Sequence, residues 1–426
     1  MKQLKNFNFV WLFAVSLLFI ECGDDDNGSG VLEIEIPELI DQTAIDDPAI
    51  IEYLETHFYN EEDFLNPPED FDFQIRFDTI AFENANRTPL ISQVTSRTIN
   101  RNEVDQTIYI LSVREGSLEQ EPVNFTDSTL VTFKGSLLTP LSDGDQDRIP
   151  DFADIDIEAN QFDADGDGDI DQNDLVLIDT DGDGIIDSED ADIDGVSGTD
   201  EGVVDVDNDG IIDNSMGVFD NAISPIWFDL TATIDGFQQG IDGSFRPSSG
   251  FEVNADGTST FEDDFGIGAI FIPSGLGFFS SPPPDSGIPL FSNLIFTFNV
   301  LQRRITDHDG DGVISIEEDL NSNNFLFDAD DNTDGDMLAN FVDPDDDNDA
   351  VLTRLEIVLD ENGDFVSFID TDGDGISDFL DDDDDNDGTL TVDEVIVIFG
   401  DNGLFLDIIF TDTDGDGTPD YLDPDS

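Results

Sequence analysis

An Asp-x-Asp-x-Asp spacing recurs about ten times along this chain. In one copy, Asp307, Asp309 and Asp311 are followed by Gly312, and Glu318 stands at position 12 of the loop. A hard cation prefers several oxygen ligands on a small sphere. Alternate acidic residues can point inward, a glycine makes the sharp turn, and the last carboxylate closes the shell. The spacing therefore predicts calcium-binding loops.

The loops occur in several forms. One copy has Ala350 in place of the glycine, and a shorter variant that begins at Asp179 has Asp at both positions 9 and 12. The predicted ligands before residue 216 are Asp143, Asp145, Asp147, Asp154, Asp163, Asp165, Asp167, Asp174, Asp179, Asp181, Asp183, Asp187, Asp190, Asp205, Asp207, Asp209 and Asp213. Those after residue 302 are Asp307, Asp309, Asp311, Ser315, Glu318, Asp334, Asp336, Asp343, Asp345, Asp347, Asp349, Thr353, Glu356, Asp370, Asp372, Asp374, Asp378, Asp381, Asp383, Asp385, Asp387, Thr391, Glu394, Asp412, Asp414, Asp416, Asp420 and Asp423.

The alternative interpretation of these runs is a solvated acidic linker that self-repulsion keeps open. A linker requires neither the glycine at position 6 nor the closing carboxylate, so the pattern favours metal loops. The runs resemble thrombospondin type 3 repeats and related EF-hand-like calcium loops of secreted bacterial proteins.

The charge of the chain is extreme. Lys and Arg total 13 against 103 Asp and Glu, which gives a formal net charge of -90. Self-repulsion at that density destabilises a compact state. One calcium in each of ten loops would add 10 × 2 = 20 positive charges and leave about -70. Nucleic acid is excluded as a partner because its phosphates would be repelled. Hydrophobic residues make up 38% of the chain and 36 residues are Phe, which is enough for a real core.

The first residues read as an export signal. Lys2 and Lys5 precede an apolar run over residues 10–20, and Cys22, the only cysteine, follows it. An intramolecular disulfide is therefore excluded. Cys22 resembles the lipid-attachment site of bacterial lipoproteins, although Glu21 stands where a small residue is usual, and residues 23–26 resemble the acidic surface-export tag of Bacteroidetes lipoproteins. An uncleaved anchor is the alternative, but the run is short for a membrane span. We expect an outer-membrane lipoprotein that contacts the membrane through its lipid and faces the periplasm or the cell surface.

Composition divides the chain into alternating segments. We predict a signal segment (1–22), a tether (23–30), an N-terminal region (31–104), an apolar domain in two parts (105–141 and 216–302), an acidic insert (142–215) and a C-terminal acidic array (303–426). Asp46, Asp47 and Pro48 before an apolar run predict a capped helix with Pro48 near its first turn. Residues 71–82, 107–113 and 129–138 are predicted strands.

The two apolar parts, joined across the insert, resemble FKBP-type peptidyl-prolyl isomerases. The pieces that carry the resemblance, in the order of that family, are residues 131–137, 218–220, 225–230, 234–237, 272–278, 288–289 and 294–296. The resemblance implies an α+β fold, in which an antiparallel sheet wraps on a short helix, here combined with loop-rich calcium-binding repeats. It also implies proline-containing polypeptides as clients.

By resemblance, ten residues line a prolyl pocket: Phe133, Phe219, Asp220, Ile226, Phe228, Thr233, Ile234, Phe237, Phe278 and Phe296. Phe133 and Phe278 stand where the family usually has tyrosines, and Phe237 replaces a tryptophan at the pocket floor. These departures keep a second hypothesis open, a non-enzymatic calcium-stabilised stalk or adhesion module on an FKBP-like scaffold. No other catalytic pattern competes, because His57 and His308 are far apart in sequence, and His308, at position 2 of a loop, is expected to face outward.

Overall fold

The computed structural model describes residues 36–68, 71–138, 217–254, 257–284, 286–363, 365–399 and 405–425. The predicted signal segment, Cys22, the predicted insert and its ligands from Asp143 to Asp213 lie outside these ranges. The elements are α1 (Leu39–Thr56), β1 (His57–Tyr59), α2 (Glu61–Leu65), β2 (Phe77–Thr79), β3 (Val94–Arg101), β4 (Val104–Arg114), β5 (Ser128–Leu137), β6 (Val218–Asp229), α3 (Asp235–Ile241), β7 (Phe251–Val253), β8 (Ser259–Phe261), β9 (Gly266–Ile272), β10 (Leu294–Arg304), β11 (Ile357–Leu359), β12 (Phe365–Phe368), α4 (Thr391–Glu394), β13 (Val395–Phe399) and β14 (Phe405–Phe410). Across the described ranges, no helix has the length and apolar character needed to cross a membrane.

The largest sheet has six antiparallel strands in the order β3-β4-β9-β10-β5-β6. β5 and β6, which flank the predicted insert in the sequence, pair directly, with Val131 opposite Ile226. The strands predicted at 107–113 and 129–138 are confirmed as β4 and β5. The strand predicted over 71–82 is wrong except for β2, because only these three residues find a partner, in β1.

Both faces of this sheet are buried, as the side chains of β9 show by pointing alternately into two different hydrophobic cores. Ile270 and Ile272 belong to the core on the α3 side, whereas Phe271 between them belongs to the core on the α1 side. Successive side chains of a strand point to opposite faces, so a central strand covered on both sides is apolar throughout. Every residue of β9 is accordingly buried.

Helix α1 begins earlier than the sequence predicts. Its first residue is Leu39, so Pro48 lies inside the helix and Asp46 is not its cap. Asp46 is instead buried, and its carboxylate accepts hydrogen bonds from Gln42 Nε2 (2.7 Å), from Ser274 N (2.9 Å) and from Ser274 Oγ (2.6 Å). These contacts with Ser274 stabilise the first turns of α1, which the sequence pattern alone would place outside the helix.

The C-terminal array consists of acidic loops with two short hairpins, β11–β12 and β13–β14. Small apolar clusters connect its parts, for example Val313 with Ile357 and Phe379. Another cluster joins the array to the sheet domain, since Phe125 packs with Leu326 and Phe341.

Candidate functional site

Helix α3 sets the position of the predicted pocket floor. A Cβ on Gly236 would lie 2.3 Å from Ile272, and one on Gly240 would lie 2.5 Å from Ile270. Glycines four residues apart on one helix face thus allow α3 to approach β9 closely. Phe237, between them, is 2% exposed. Because the helix sits so close to the sheet, this ring is held within the core.

Phe237 is the centre of an aromatic cluster. Its ring centroid lies 5.3 Å from that of Phe296 and 5.8 Å from that of Phe228. Phe133 lies 4.9 Å from Phe228 on the other side. These edge-to-face and tilted arrangements are the preferred ones for aromatic pairs. Phe133, Phe237 and Phe296 are buried and form an apolar floor.

Four more of the predicted pocket residues surround this floor. Phe219, Phe228, Ile234 and Phe278 are half-buried and pack against the same core. We call these seven residues the aromatic patch. Phe219 reaches it because β5 has a glycine at 135: a Cβ there would lie 2.7 Å from the Phe219 ring. The patch therefore offers a hydrophobic surface that is partly open to a ligand.

The other three predicted residues lie apart from these rings. Asp220 is exposed, and its carboxylate accepts a hydrogen bond from the Asn221 N–H. Ile226 is 37% exposed on β6. The Thr233 hydroxyl donates to the Leu230 carbonyl at 2.8 Å. Thr233 also borders a cavity of about 250 Å³, whose lining is Thr231, Thr233, Asp235, Gln238, Phe325, Leu326 and Phe327.

The acidic loops bring carboxylates together in two matching clusters. In the first, Asp311, Glu318 and Asp346 are all buried and each presents an oxygen within 4.8 Å of the others. In the second, Asp349, Glu356 and Asp384 do the same, together with Asp347. Each member of the second triad lies 38 residues after its counterpart in the first. The two clusters are thus successive copies of one structural repeat.

Glu318 and Glu356, the position-12 glutamates of these two clusters, lack hydrogen-bond partners within the part of the chain that the structure describes. Neither side-chain oxygen of Glu318 or of Glu356 has a hydrogen-bond partner there, although both residues are buried. Burial, reinforced by the neighbouring aspartates, raises the pKa of Glu318 to about 10 and that of Glu356 to about 11. Buried carboxylates in this state ordinarily have a cation as partner, and an all-oxygen set suits a hard ion such as Ca²⁺.

Sequence reasoning missed one ligand position. Asp346 and Asp384 stand at position 2 of their own loops, yet they complete the cluster of the preceding 38-residue repeat. The expectation that position 2 faces outward is therefore wrong. His308, the equivalent residue of the first loop, also points inward: its Nδ1 lies 2.7 Å from Ser315 Oγ, and its Nε2 lies 3.3 Å from Asp229. The signal was visible as a second acidic residue after Asp345 and after Asp383.

Other predicted ligands lie in smaller or more exposed groups. Three triads have oxygens close enough to hold an ion: Asp307 with Asp309 and Asp311, Asp334 with Asp336 and Asp343, and Asp370 with Asp372 and Asp374. At position 9, Thr353 donates to Asp346 (3.2 Å), so this hydroxyl supports the position-2 residue. Asp378 and Asp420 instead accept hydrogen bonds from threonines of their own loops. Asp412, Asp414 and Asp416 are exposed.

Comparison with known proteins gives one family match, within the array. A family model described as BamM C-terminal matches residues 308–369, which hold all but the first residue of the loop 307–318, the loops 332–343 and 345–356, and the β11–β12 hairpin. No curated protein sequence matches the chain.

Among solved structures, the chain is similar to a peptidyl-prolyl cis-trans isomerase from Pseudomonas syringae, with 11% identity over 46% of this chain and 74% of that one, and a TM-score of 0.22. FkpA from Escherichia coli is 14% identical, with a TM-score of 0.25. The match covers 62% of each chain, so this chain spans less than two thirds of FkpA. The N-terminal domain of FKBP42 from Arabidopsis thaliana is 9% identical, the match covers 50% of this chain and 94% of that one, and the TM-score is 0.23. TM-scores this low carry no argument about mechanism.

Proposed function

We propose that the protein is an exported peptidyl-prolyl cis-trans isomerase of FKBP-like type, with a calcium-binding C-terminal array. The observation that carries the proposal is the aromatic patch, in which half-buried Phe219, Phe228, Ile234 and Phe278 surround a floor centred on Phe237. The sequence pieces that resemble the family supply these residues in the family's order.

The patch suits the chemistry of the reaction. Rotation of an X–Pro bond needs no nucleophile, and its barrier of about 20 kcal/mol reflects the loss of amide resonance in the twisted state. A twisted amide is less polar than a planar one. An apolar aromatic surface therefore favours the transition state over the ground state, which is the requirement for catalysis. The proposed substrates are proline-containing segments of other exported proteins.

Calcium is proposed for the buried carboxylate clusters. Asp311, Glu318 and Asp346 would hold one ion, and Asp347, Asp349, Glu356 and Asp384 another. The support is the set of buried, partnerless oxygens within the described loops, since each costs free energy unless a cation or a proton satisfies it. In each cluster the ligands come from two successive 38-residue repeats, so a bound ion would join neighbouring repeats.

Attachment through a lipid on Cys22 remains part of the proposal and rests on the sequence alone. Mass spectrometry of the native N-terminus should find a diacylated Cys22, and Cys22→Ser should release soluble protein. A mature chain that begins elsewhere and carries no lipid would refute this attachment.

The isomerase proposal predicts that the wild-type chain accelerates cis–trans isomerisation of a proline-containing peptide, and that Phe278→Tyr increases the rate. A hydroxyl at this position can donate to the substrate carbonyl, and one such hydrogen bond contributes about 1–1.5 kcal/mol, roughly tenfold in rate. Phe279→Tyr is the matched control, because it adds a hydroxyl one residue away. The proposal fails if the wild type does not exceed the uncatalysed rate and Phe278→Tyr does not restore activity.

A non-enzymatic binding module on a calcium-stabilised stalk is the second candidate. The observation that favours it is the position of Asp220, which faces solvent instead of closing over the aromatic patch. Binding of a proline-containing peptide without acceleration of its isomerisation would select this alternative.

A further inference from the structure

The segment 319–331 lies between two predicted loops and was not itself predicted to bind a cation. It carries Asp319, Asn321 and Asn323 at alternate positions, followed by Asn324. Asparagine replaces two of the usual aspartates and also the usual glycine. Carboxamide oxygens are acceptable ligands for a hard cation, so the residue types remain suitable.

The backbone of this segment repeats that of the acidic loops. The Asp319 carboxylate accepts the N–H of Asn324 at 2.9 Å, as Asp307 accepts the N–H of Gly312 at 3.1 Å. Asn324 has φ +60°, in the left-handed region that Gly312 also occupies at φ +107°. Asparagine is among the non-glycine residues that adopt this region most readily, so the sharp turn is kept without the glycine.

An independent observation points to a ligand. Asp331 is 1% exposed, and its Oδ2 has no hydrogen-bond partner among the described residues. Burial, with the charges of Asp328 and Asp319, raises the pKa of Asp331 to about 6. The amides of Asn321 and Asn323 approach the same Asp328 carboxylate, at 3.3 and 2.5 Å. Asn321 and Asn323 thus converge on Asp328, and Asp331 faces the start of the same segment, since its Oδ1 accepts the Leu320 N–H at 2.7 Å.

This segment also contacts the helix that carries Phe237. The Asn324 carbonyl accepts a hydrogen bond from Gln239 Nε2 at 2.8 Å, and Asn324 Nδ2 donates to Asp242 at 3.2 Å. The guanidinium of Arg101 lies 4.4 Å from the centroid of the Phe325 ring and pairs with Asp235 at 2.6 Å. Residues at the turn of the loop therefore contact the C-terminal end of α3 directly and are linked to Asp235, at its N-terminal end, through Arg101.

We propose that residues 319–331 form a further divalent-cation site of calcium type, in which Asp319, Asn321, Asn323 and Asp331 supply ligands, and that its ion fastens the array to helix α3. The inference rests on the proposed calcium binding of the neighbouring loops. An ion in this loop fixes the turn at Asn324, and through Asn324 it stabilises the contacts with Gln239 and Asp242. Calcium thereby reaches the prolyl site through the loop that contacts α3.

Hydrogen–deuterium exchange of the full chain, with calcium and with a chelator, tests this inference. In the wild type, calcium should slow exchange in 319–331 and in 235–241 by about tenfold at a concentration about ten times Kd, since opening is suppressed by the factor 1 + [L]/Kd. Asp331→Asn should remove both effects and leave the protection of 345–356 unchanged. Glu361→Gln, an exposed change of equal charge in the β11–β12 turn, should behave as the wild type.

Asn321→Ala is a second variant, at an exposed side chain whose loss does not threaten folding. It should raise the calcium midpoint for protection of 319–331 and of 235–241 together. The inference is overturned if calcium protects 345–356 but not 319–331, or if both variants match the wild type. Absence of protection in all loops, including 345–356, would instead overturn calcium binding as a whole.

Discussion

At the scale of single residues, Gly135 decides whether the aromatic patch can exist. Its own conformation is ordinary, but the rings of Phe219 and Phe296 occupy the space where a side chain would be. A glycine in the middle of a strand costs stability because it buries no side chain and loses more entropy on folding. This cost is offset here by the contact that Phe219 makes across the strand.

We therefore expect Gly135→Ala to impair the site. The new methyl would meet the Phe219 ring at 2.7 Å, and overpacking of this kind costs about 1–3 kcal/mol unless the ring moves away. Isomerase activity and peptide affinity should both fall, and urea unfolding should show the loss of stability. Gly217→Ala is the control, because a Cβ there meets nothing within 4 Å. Equal behaviour of the two variants would contradict this account of Gly135.

At the scale of elements, α1 is attached to the sheet domain by a buried polar contact as well as by its apolar face. Asp46 accepts three hydrogen bonds, of which two come from Ser274. We predict that Asp46→Ala lowers the free energy of unfolding by about 1–3 kcal/mol, because it leaves buried donors without an acceptor. Denaturant unfolding monitors the change. Asp41→Ala, at an exposed position of the same helix, should alter stability by about 0.5 kcal/mol or less. A similar loss in both variants would mean that Asp46 acts only through helix charge.

The first acidic loop and the sheet domain meet at His308. In the next two 38-residue repeats the equivalent residues, Asp346 and Asp384, contribute to the cluster of the preceding repeat. The first loop instead follows β10, and the neighbour of its His308 is Asp229. A histidine can pair with Asp229, whereas an aspartate would repel it. The residue at position 2 is thus a histidine where its neighbour is Asp229 of the sheet domain, and an aspartate where it joins the carboxylate cluster of the preceding repeat.

His308→Asp should consequently destabilise the junction. A carboxylate placed near Asp229 would lose the present 3.3 Å contact and add repulsion, which we expect to cost about 1–3 kcal/mol in a chelator solution. His308→Gln keeps a donor and serves as the matched variant. Urea unfolding would distinguish them. If Asp and Gln at this position give the same stability, the contact with Asp229 does not hold the array in place.

At the scale of the whole molecule, repulsion among carboxylates dominates, since the chain carries a formal charge of -90. The clusters around Glu318 and Glu356 concentrate that repulsion inside the array, where the local dielectric strengthens it. Ions bound between successive repeats would replace this repulsion, because carboxylates of both repeats would share one cation. Stability of the array should therefore depend strongly on calcium.

Glu356→Gln provides a test, because its effect on stability relative to the wild type should change sign when calcium is added. In chelator, this variant should be at least as stable as the wild type, because the raised pKa of Glu356 means that the wild type must take up a proton to bury this carboxyl, and a glutamine need not. With calcium at about 100 times Kd, the wild type should gain about 2.7 kcal/mol at each site, and the variant should lack the gain at this one. Calorimetric melting in both solutions measures the difference, with Glu361→Gln as the control. If the wild type and Glu356→Gln gain equally from calcium, Glu356 is not a ligand.

Some features of this protein follow from the sequence alone. The acidic loops are recognisable because ligands within one loop are separated by fixed, short distances along the chain, and β4 and β5 because their residues favour strands. The net charge, and with it the expectation that the chain does not bind nucleic acid, needs no coordinates. These are local or additive properties, so the order of residues is sufficient to determine them.

Only the tertiary structure decided which residues meet across elements. Asp346 and Asp384 join the cluster of the preceding repeat because of how consecutive repeats pack, and spacing within one loop carries no information about that packing. The early start of α1 depends on Ser274, more than 200 residues away in sequence. The contact of Asn324 with Gln239 of α3 likewise joins residues that are distant in sequence. Contacts between distant segments depend on the free energy of the whole packed arrangement, which no local pattern encodes.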